Sequence, residues 1–171
     1  MRAVVVYESH WGNTEAVARA IAEGIGPGAV ALATDMATSD VVGEADLVVA
    51  GAPVIAFSLA TESMRANLAT TEHGAPRPPD LSHPSMRSWL DSLPKRSARS
   101  AAFETRIWWS PRGAAGDIER RLERAGHVRI AKAEKFVVND KYGPLRGGEL
   151  ERARAWGSTL AAAAQVSWTR T

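Results

Sequence analysis

Seven consecutive residues, Glu8-Ser9-His10-Trp11-Gly12-Asn13-Thr14, have the types and spacing suited to holding an anion. They follow the apolar run Ala3-Val4-Val5-Val6-Tyr7 and lead directly into Glu15-Ala16-Val17-Ala18-Arg19-Ala20-Ile21. A tight turn between a buried strand and an amphipathic helix directs backbone N–H groups and hydroxyls at one point ahead of a helix N-terminus. The partial positive charge there favours phosphate. Ser9, Asn13 and Thr14 supply short polar donors, and Gly12 allows close backbone approach. His10 could donate to an anion or face solvent.

Other phosphate cradles do not fit. A nucleotide-triphosphate loop requires Gly-Lys before Ser/Thr, and the chain contains no Gly-Lys pair. A dinucleotide fingerprint requires three spaced glycines at this turn, where only Gly12 stands. The cluster Gly24-Ile25-Gly26-Pro27-Gly28 lies at the far end of the helix and reads as its stop. His73, His83 and His127 share no metal-ligand spacing, and Gly-x-Ser-x-Gly is absent. The chain has no cysteine, which excludes disulfides, thiol chemistry and iron–sulfur clusters and leaves redox chemistry to a bound cofactor.

The elements that must position the loop follow from periodicity. The pattern predicts strands over residues 2–8, 28–33, 47–51, 97–105 and 127–138, the last bent or split near 132–135. Helices are expected over 13–24, 36–42 (weakly), 84–93, 115–125 and 149–165. Pro53 should end the third strand. Residues 58–83 read as a long irregular insertion, a lid, a dimer arm or a floppy loop. Trp89 should pack in the core. Asp117, Glu119 and Glu123 beside Arg120, Arg121 and Arg124 read as a solvated helix face.

Five strand–helix units imply a doubly wound α/β sheet. Within it, residues 9–14 resemble the flavodoxin phosphate loop, Thr/Ser-x-Thr/Ser-Gly-Asn-Thr, at Ser9, Gly12, Asn13 and Thr14. The loop departs from that pattern at Trp11, where a small hydroxyl residue is usual. The resemblance spans nearly the whole chain, although only the first loop carries a motif. It implies a flavodoxin-like doubly wound three-layer sandwich, one domain over 1–171, with a five-stranded parallel sheet of order 2-1-3-4-5. Ligand would sit at the β1/β3 switch point, a rule for which flavodoxin is itself the standard illustration.

The resemblance also implies flavin mononucleotide (FMN) as cofactor, held by three loops. Ser9, His10, Trp11, Gly12, Asn13 and Thr14 would take the phosphate. Ala52, Pro53, Val54, Ile55, Ala56 and Phe57 in the second loop, with Thr105, Arg106, Ile107, Trp108 and Trp109 in the third, would sandwich the ring. Several positions depart from the pattern. Ile55 stands where a stacking Trp is usual, and Val54 where related oxidoreductases carry Thr. Glu104 and Arg106 replace small glycines, and Ser110 aligns with the usual Tyr. Trp108 and Trp109 would then either stack on the ring or fill its space.

The expected function is an FMN-binding redox protein that carries electrons or reduces a quinone-type acceptor. The alternative is a flavodoxin-fold module that has lost flavin and serves in binding or regulation. Response-regulator chemistry is discarded, since Glu8 stands alone where paired acids are needed.

Composition bounds the partners. Of the 171 residues, 45% are hydrophobic and 23% charged, an ordinary globular balance. The net charge of +2 divides unevenly: residues 1–86 hold four Lys/Arg against ten Asp/Glu, and residues 87–171 hold seventeen against nine. The basic half reads as a solvated Arg-rich surface or as a dock for an acidic partner or anionic ligand. A redox partner protein or a small-molecule electron donor or acceptor is expected, with a homo-oligomer possible and no nucleic acid. No run approaches a membrane span, and the early first strand suggests a cytoplasmic protein.

Overall fold

The computed structural model describes residues 1–71 and 74–166. Its centre is β1 (Ala3–Tyr7), five apolar residues all buried. β1 pairs in parallel with β2 (Ala29–Ala33) on one side, from Ala3 opposite Ala29 to Tyr7 opposite Ala33. On its other side it pairs with β3 (Leu47–Ile55), Ala3 opposite Leu47. β3 in turn pairs with β5 (Arg99–Ile107) from Leu47 opposite Arg99 to Pro53 opposite Thr105. The far edge is interrupted. β6 (Val128–Arg129) and β7 (Glu134–Val138) both pair with β5, at its start and end respectively, as the split near 132–135 anticipated. Counting those two as one broken strand, and β4 (Ser58–Leu59) as an appendage of β3, the expected order 2-1-3-4-5 holds.

Continuous apolar strands require cover on both faces. α1 (Asn13–Ile25) and α6 (Glu149–Val166) cover one, packing Val17, Ile21, Ala153 and Leu160 on Val5, Val49 and Phe103. α4 (Met86–Asp91) and α5 (Ala115–Arg124) cover the other, with Trp89, Leu90, Ile118 and Leu122 against Val6, Val48 and Ala102. Trp89 is a core residue, and its indole N–H donates to Ala37 O at 2.8 Å. α1 and α6 touch backbone to backbone: a Cβ on Gly157 would stand 2.2 Å from Ile21 O. α1 stops as expected, with Gly26 N–H donating to Ala22 O at 3.1 Å.

Three expectations need correction. The weak helix predicted over 36–42 is the short α2 (Ser39–Gly43), because the Thr38 side chain caps it by accepting from Val41 N–H at 3.4 Å. β3 does not end at Pro53 but continues to Ile55. Gly51 O accepts from Glu8 N–H at 3.1 Å, so strand alternation turns the nitrogen of Pro53 to the same side, beyond the end of β1. No ladder partner waits there, and the missing N–H costs nothing. Residues 58–83 are not simply irregular: they contain β4 and α3 (Glu62–Thr71). β4 turns back antiparallel on β3, Val54 opposite Leu59 and Ile55 opposite Ser58, so Ala56-Phe57 is a two-residue hairpin turn.

Candidate functional site

β1, β3 and β5 run parallel and end together, and the loops leaving their C-terminal ends enclose a cleft of about 670 Å³. That volume lies within the range of small-molecule and cofactor sites.

The first wall is the polar turn after β1. Gly12, at φ 95°, takes a left-handed conformation that a side chain would strain, and it forms the N-cap of α1. Its N–H donates to Ser9 Oγ at 3.1 Å. The Asn13 amide donates to Tyr142 O at 3.0 Å, and the Thr14 and Thr105 hydroxyls share a hydrogen bond of 2.7 Å. No side chain caps α1, so the positive end of the helix is presented where Asn13 and Thr14 line the cleft.

Beneath this turn lies a buried charged cluster. Glu8, fully buried, accepts from His10 Nε2 at 2.9 Å and from Met86 N–H at 2.9 Å, and lies 2.8 Å from Arg65 Nε. Burial pushes the Glu8 carboxyl up, but the bond and charge of His10, the Met86 N–H and Arg65 together hold it below the usual carboxylate range. Arg65 also donates to His83 O at 2.6 Å, and Ser9 N–H donates to His83 Nε2 at 3.3 Å. Burial keeps His83 below the ordinary imidazole value. His127, buried elsewhere near Arg96, is lowered for the same reason, and His73 lies outside the described residues.

The second wall is the hairpin after β3. Ala56 and Phe57 have φ of 45° and 64°, the pair of positive values a two-residue hairpin turn of this twist needs, although neither is glycine. Phe57 meets Trp109 edge-on, ring centres 5.9 Å apart. The third wall is the end of β5. Glu104, bulky in sequence, turns away from the cleft: its carboxylate accepts from Ala114 and Ala115 N–H at 2.7 and 2.8 Å and from Arg106 at 3.0 Å. It thereby caps α5, and the side chain does not obstruct the site.

The structure brings most of the predicted residues together. Ser9, His10, Trp11, Asn13 and Thr14, then Pro53, Val54, Ile55, Ala56 and Phe57, and finally Thr105, Arg106, Ile107 and Trp109 line the cleft. Gly12, Ala52 and Trp108 do not: Gly12 is the helix cap, Ala52 is fully buried in the core, and Trp108 is 69% exposed. Sequence reasoning missed two further walls. Met64, Asn67 and Leu68 of α3 line one side, and Ser110 with residues 138–141 close another. The four-residue spacing of Met64 and Leu68 was the available signal for α3. Nothing in sequence marked the loop after β7.

No family model matches the sequence, and no curated protein matches it. Solved structures do. A flavodoxin from the domain Archaea shares 20% identity at a TM-score of 0.69, covering 96% of this chain and 99% of that one. An oxidised flavodoxin 1 from Bacillus cereus shares 15% at 0.66, covering 97% and 98%. The Synechocystis flavodiiron core Flv1 shares 16% at 0.63; here 98% of this chain matches only 36% of the other, so the chain spans about a third of that protein's length. Among the described residues no helix is long and apolar enough to cross a membrane. At these identities the likeness establishes architecture, and the chain is a flavodoxin-like α/β three-layer sandwich.

Proposed function

We propose that the cleft binds FMN and that the protein works as a redox protein, passing electrons to a partner protein or reducing a small quinone-type acceptor. The observation that carries this reading is the convergence of the polar turn 9–14, the hairpin after β3 and the end of β5 on one cleft at the β1/β3 switch point. The residues present fit the group. The uncapped start of α1 suits a phosphate, and Ile55, Phe57, Ile107 and Trp109 give the rest of the cleft apolar and aromatic walls. Bound there, FMN supplies one- and two-electron chemistry.

The protein's part is binding and tuning. The hairpin holds Ala56 and Phe57 in a fixed turn beside the ring's place, and Thr14–Thr105 ties the phosphate side to the ring side. Arg106 brings a cation to the cleft wall that Glu104 balances. None of these steps requires a side-chain acid, base or nucleophile.

One set of observations favours the second reading, a module without flavin. Ser9 Oγ, the Asn13 amide and the Thr14 hydroxyl already spend hydrogen bonds within the protein. An absorption spectrum of the purified protein followed by titration with FMN separates the two. Flavin bands or saturable binding support the redox reading. A colourless protein that ignores FMN overturns it in favour of the binding module.

A further inference from the structure

The segment following α3 returns across the polar turn and is bolted to it. The Trp11 indole N–H donates to Arg77 O at 3.1 Å, Asp80 N–H donates to His10 O at 2.9 Å, and Ser9 N–H donates to His83 Nε2 at 3.3 Å. These contacts bring the guanidinium of Arg77 over the turn: a Cβ built on Gly12 would stand 3.2 Å from Arg77 Nη2. Arg77 makes no ion pair among the described residues. Asp80, three residues on, accepts through Oδ1 from the Ser82 N–H at 3.0 Å and hydroxyl at 2.6 Å, and the same oxygen lies 3.9 Å from His83 Nδ1.

Two positive groups therefore lie close together, and the one acidic residue in the first turn of α1, Glu15, is paired with Arg19. One is the start of α1, which no side chain caps; the other is the Arg77 guanidinium. A cation beside a helix N-terminus is unfavourable unless a negative group lies close to both. A further group on the same turn lacks a partner. His10 is 2% exposed and lines the cleft, its Nε2 is held by Glu8, and its Nδ1 is buried without a hydrogen-bond partner.

The geometry points to Arg77 as the charge partner of the ligand's phosphate. The strap would deliver a fork of N–H donors from outside the cleft lining, beside Gly12 at the start of α1. This deepens the flavin reading and rests on it for the ligand's identity. The site would discriminate by the phosphate, taking FMN in preference to riboflavin, which has the same ring and no anion. Guanidinium geometry suits two phosphate oxygens at once, which a lysine cannot reproduce.

The test is a pair of titrations, FMN and riboflavin, on the wild type, Arg77→Gln and Arg77→Lys, at low and high salt. Arg77 is exposed, and a thermal melt of each variant checks that it folds. The expected result is a loss of FMN affinity in Arg77→Gln of about tenfold or more, as for a lost charged hydrogen bond. Riboflavin affinity should stay unchanged, Arg77→Lys should fall between, and the salt dependence of FMN binding should weaken. Unchanged FMN affinity, or an equal loss for both flavins, overturns the assignment and leaves the flavin reading standing. Inorganic phosphate is titrated in parallel. Phosphate binding that needs Arg77 in a protein that ignores FMN upholds the anion site and overturns the flavin reading; binding of neither overturns both.

Discussion

Glu8 joins more of the site than any motif residue does. It holds His10 in the polar turn, Arg65 in α3 and the N-terminus of α4 through Met86. Glu8→Gln would leave the buried Arg65 only the exposed Glu62, 3.5 Å away, as counter-charge, and breaking such a buried pair costs as much as about 3–5 kcal/mol. Urea unfolding should report a loss of that size. The two histidines lowered by burial set the acid limb. His83 and His127 are neutral in the fold and must protonate on unfolding, so their contribution is complete above about pH 6.5 and declines as pH falls below it. Glu8, lowered, adds stability that is complete above the ordinary glutamate value and is lost progressively as pH falls from there through its own folded value. Unfolding free energy should therefore begin to fall below about pH 6.5. His127→Gln, remote from the cleft, should flatten that slope without altering FMN binding.

At the scale of the elements, two close fits invite perturbation. Gly157 faces Ile21 O with no room for a Cβ, so Gly157→Ala should force α6 off α1 at a cost of about 1–3 kcal/mol, read by denaturant midpoint. The hairpin offers the opposite sign. Ala56 occupies a positive-φ position at no evident gain, and Ala56→Gly should stabilise the fold by about 1 kcal/mol. Of these elements, the sequence makes legible those that repeat a single period: the apolar strands, the stripe of α5 and the long α6. Pro53 misled because a proline's cost depends on which side its nitrogen faces, which only the ending of β1 decides. The hairpin was hidden because Ala-Phe is not turn chemistry. α3 was hidden because its buried residues include Arg65, whose partner Glu8 is far off in sequence. Glu104 misled in the opposite direction, since a bulky side chain at a strand end obstructs a site only when it points into it.

For the molecule as a whole, the site is a joint product of both charge halves. Residues 9–14 and 53–68 come from the acidic half, and 105–110 and 138–141 from the basic half. The cleft therefore exists only when the sheet is complete, and a ligand held there must stabilise the entire fold. FMN at about a hundred times its dissociation constant should raise stability by about 2.7 kcal/mol, seen as a concentration-dependent rise in melting temperature. No such rise would argue for the module without flavin.

The strap over the polar turn has a consequence for how the molecule opens. Trp11 and Arg77 are 66 positions apart, joined by an exposed hydrogen bond at the rim, and Ser9 and His83 are 74 apart, joined by a buried one. The β1–α1 turn forms from neighbouring residues, whereas its cover must wait for most of the sheet. Such a rim can detach while the interior stays closed. Amide exchange at Asp80 should be faster than at Val5 or Val49, and anion binding at the start of α1 should slow it selectively.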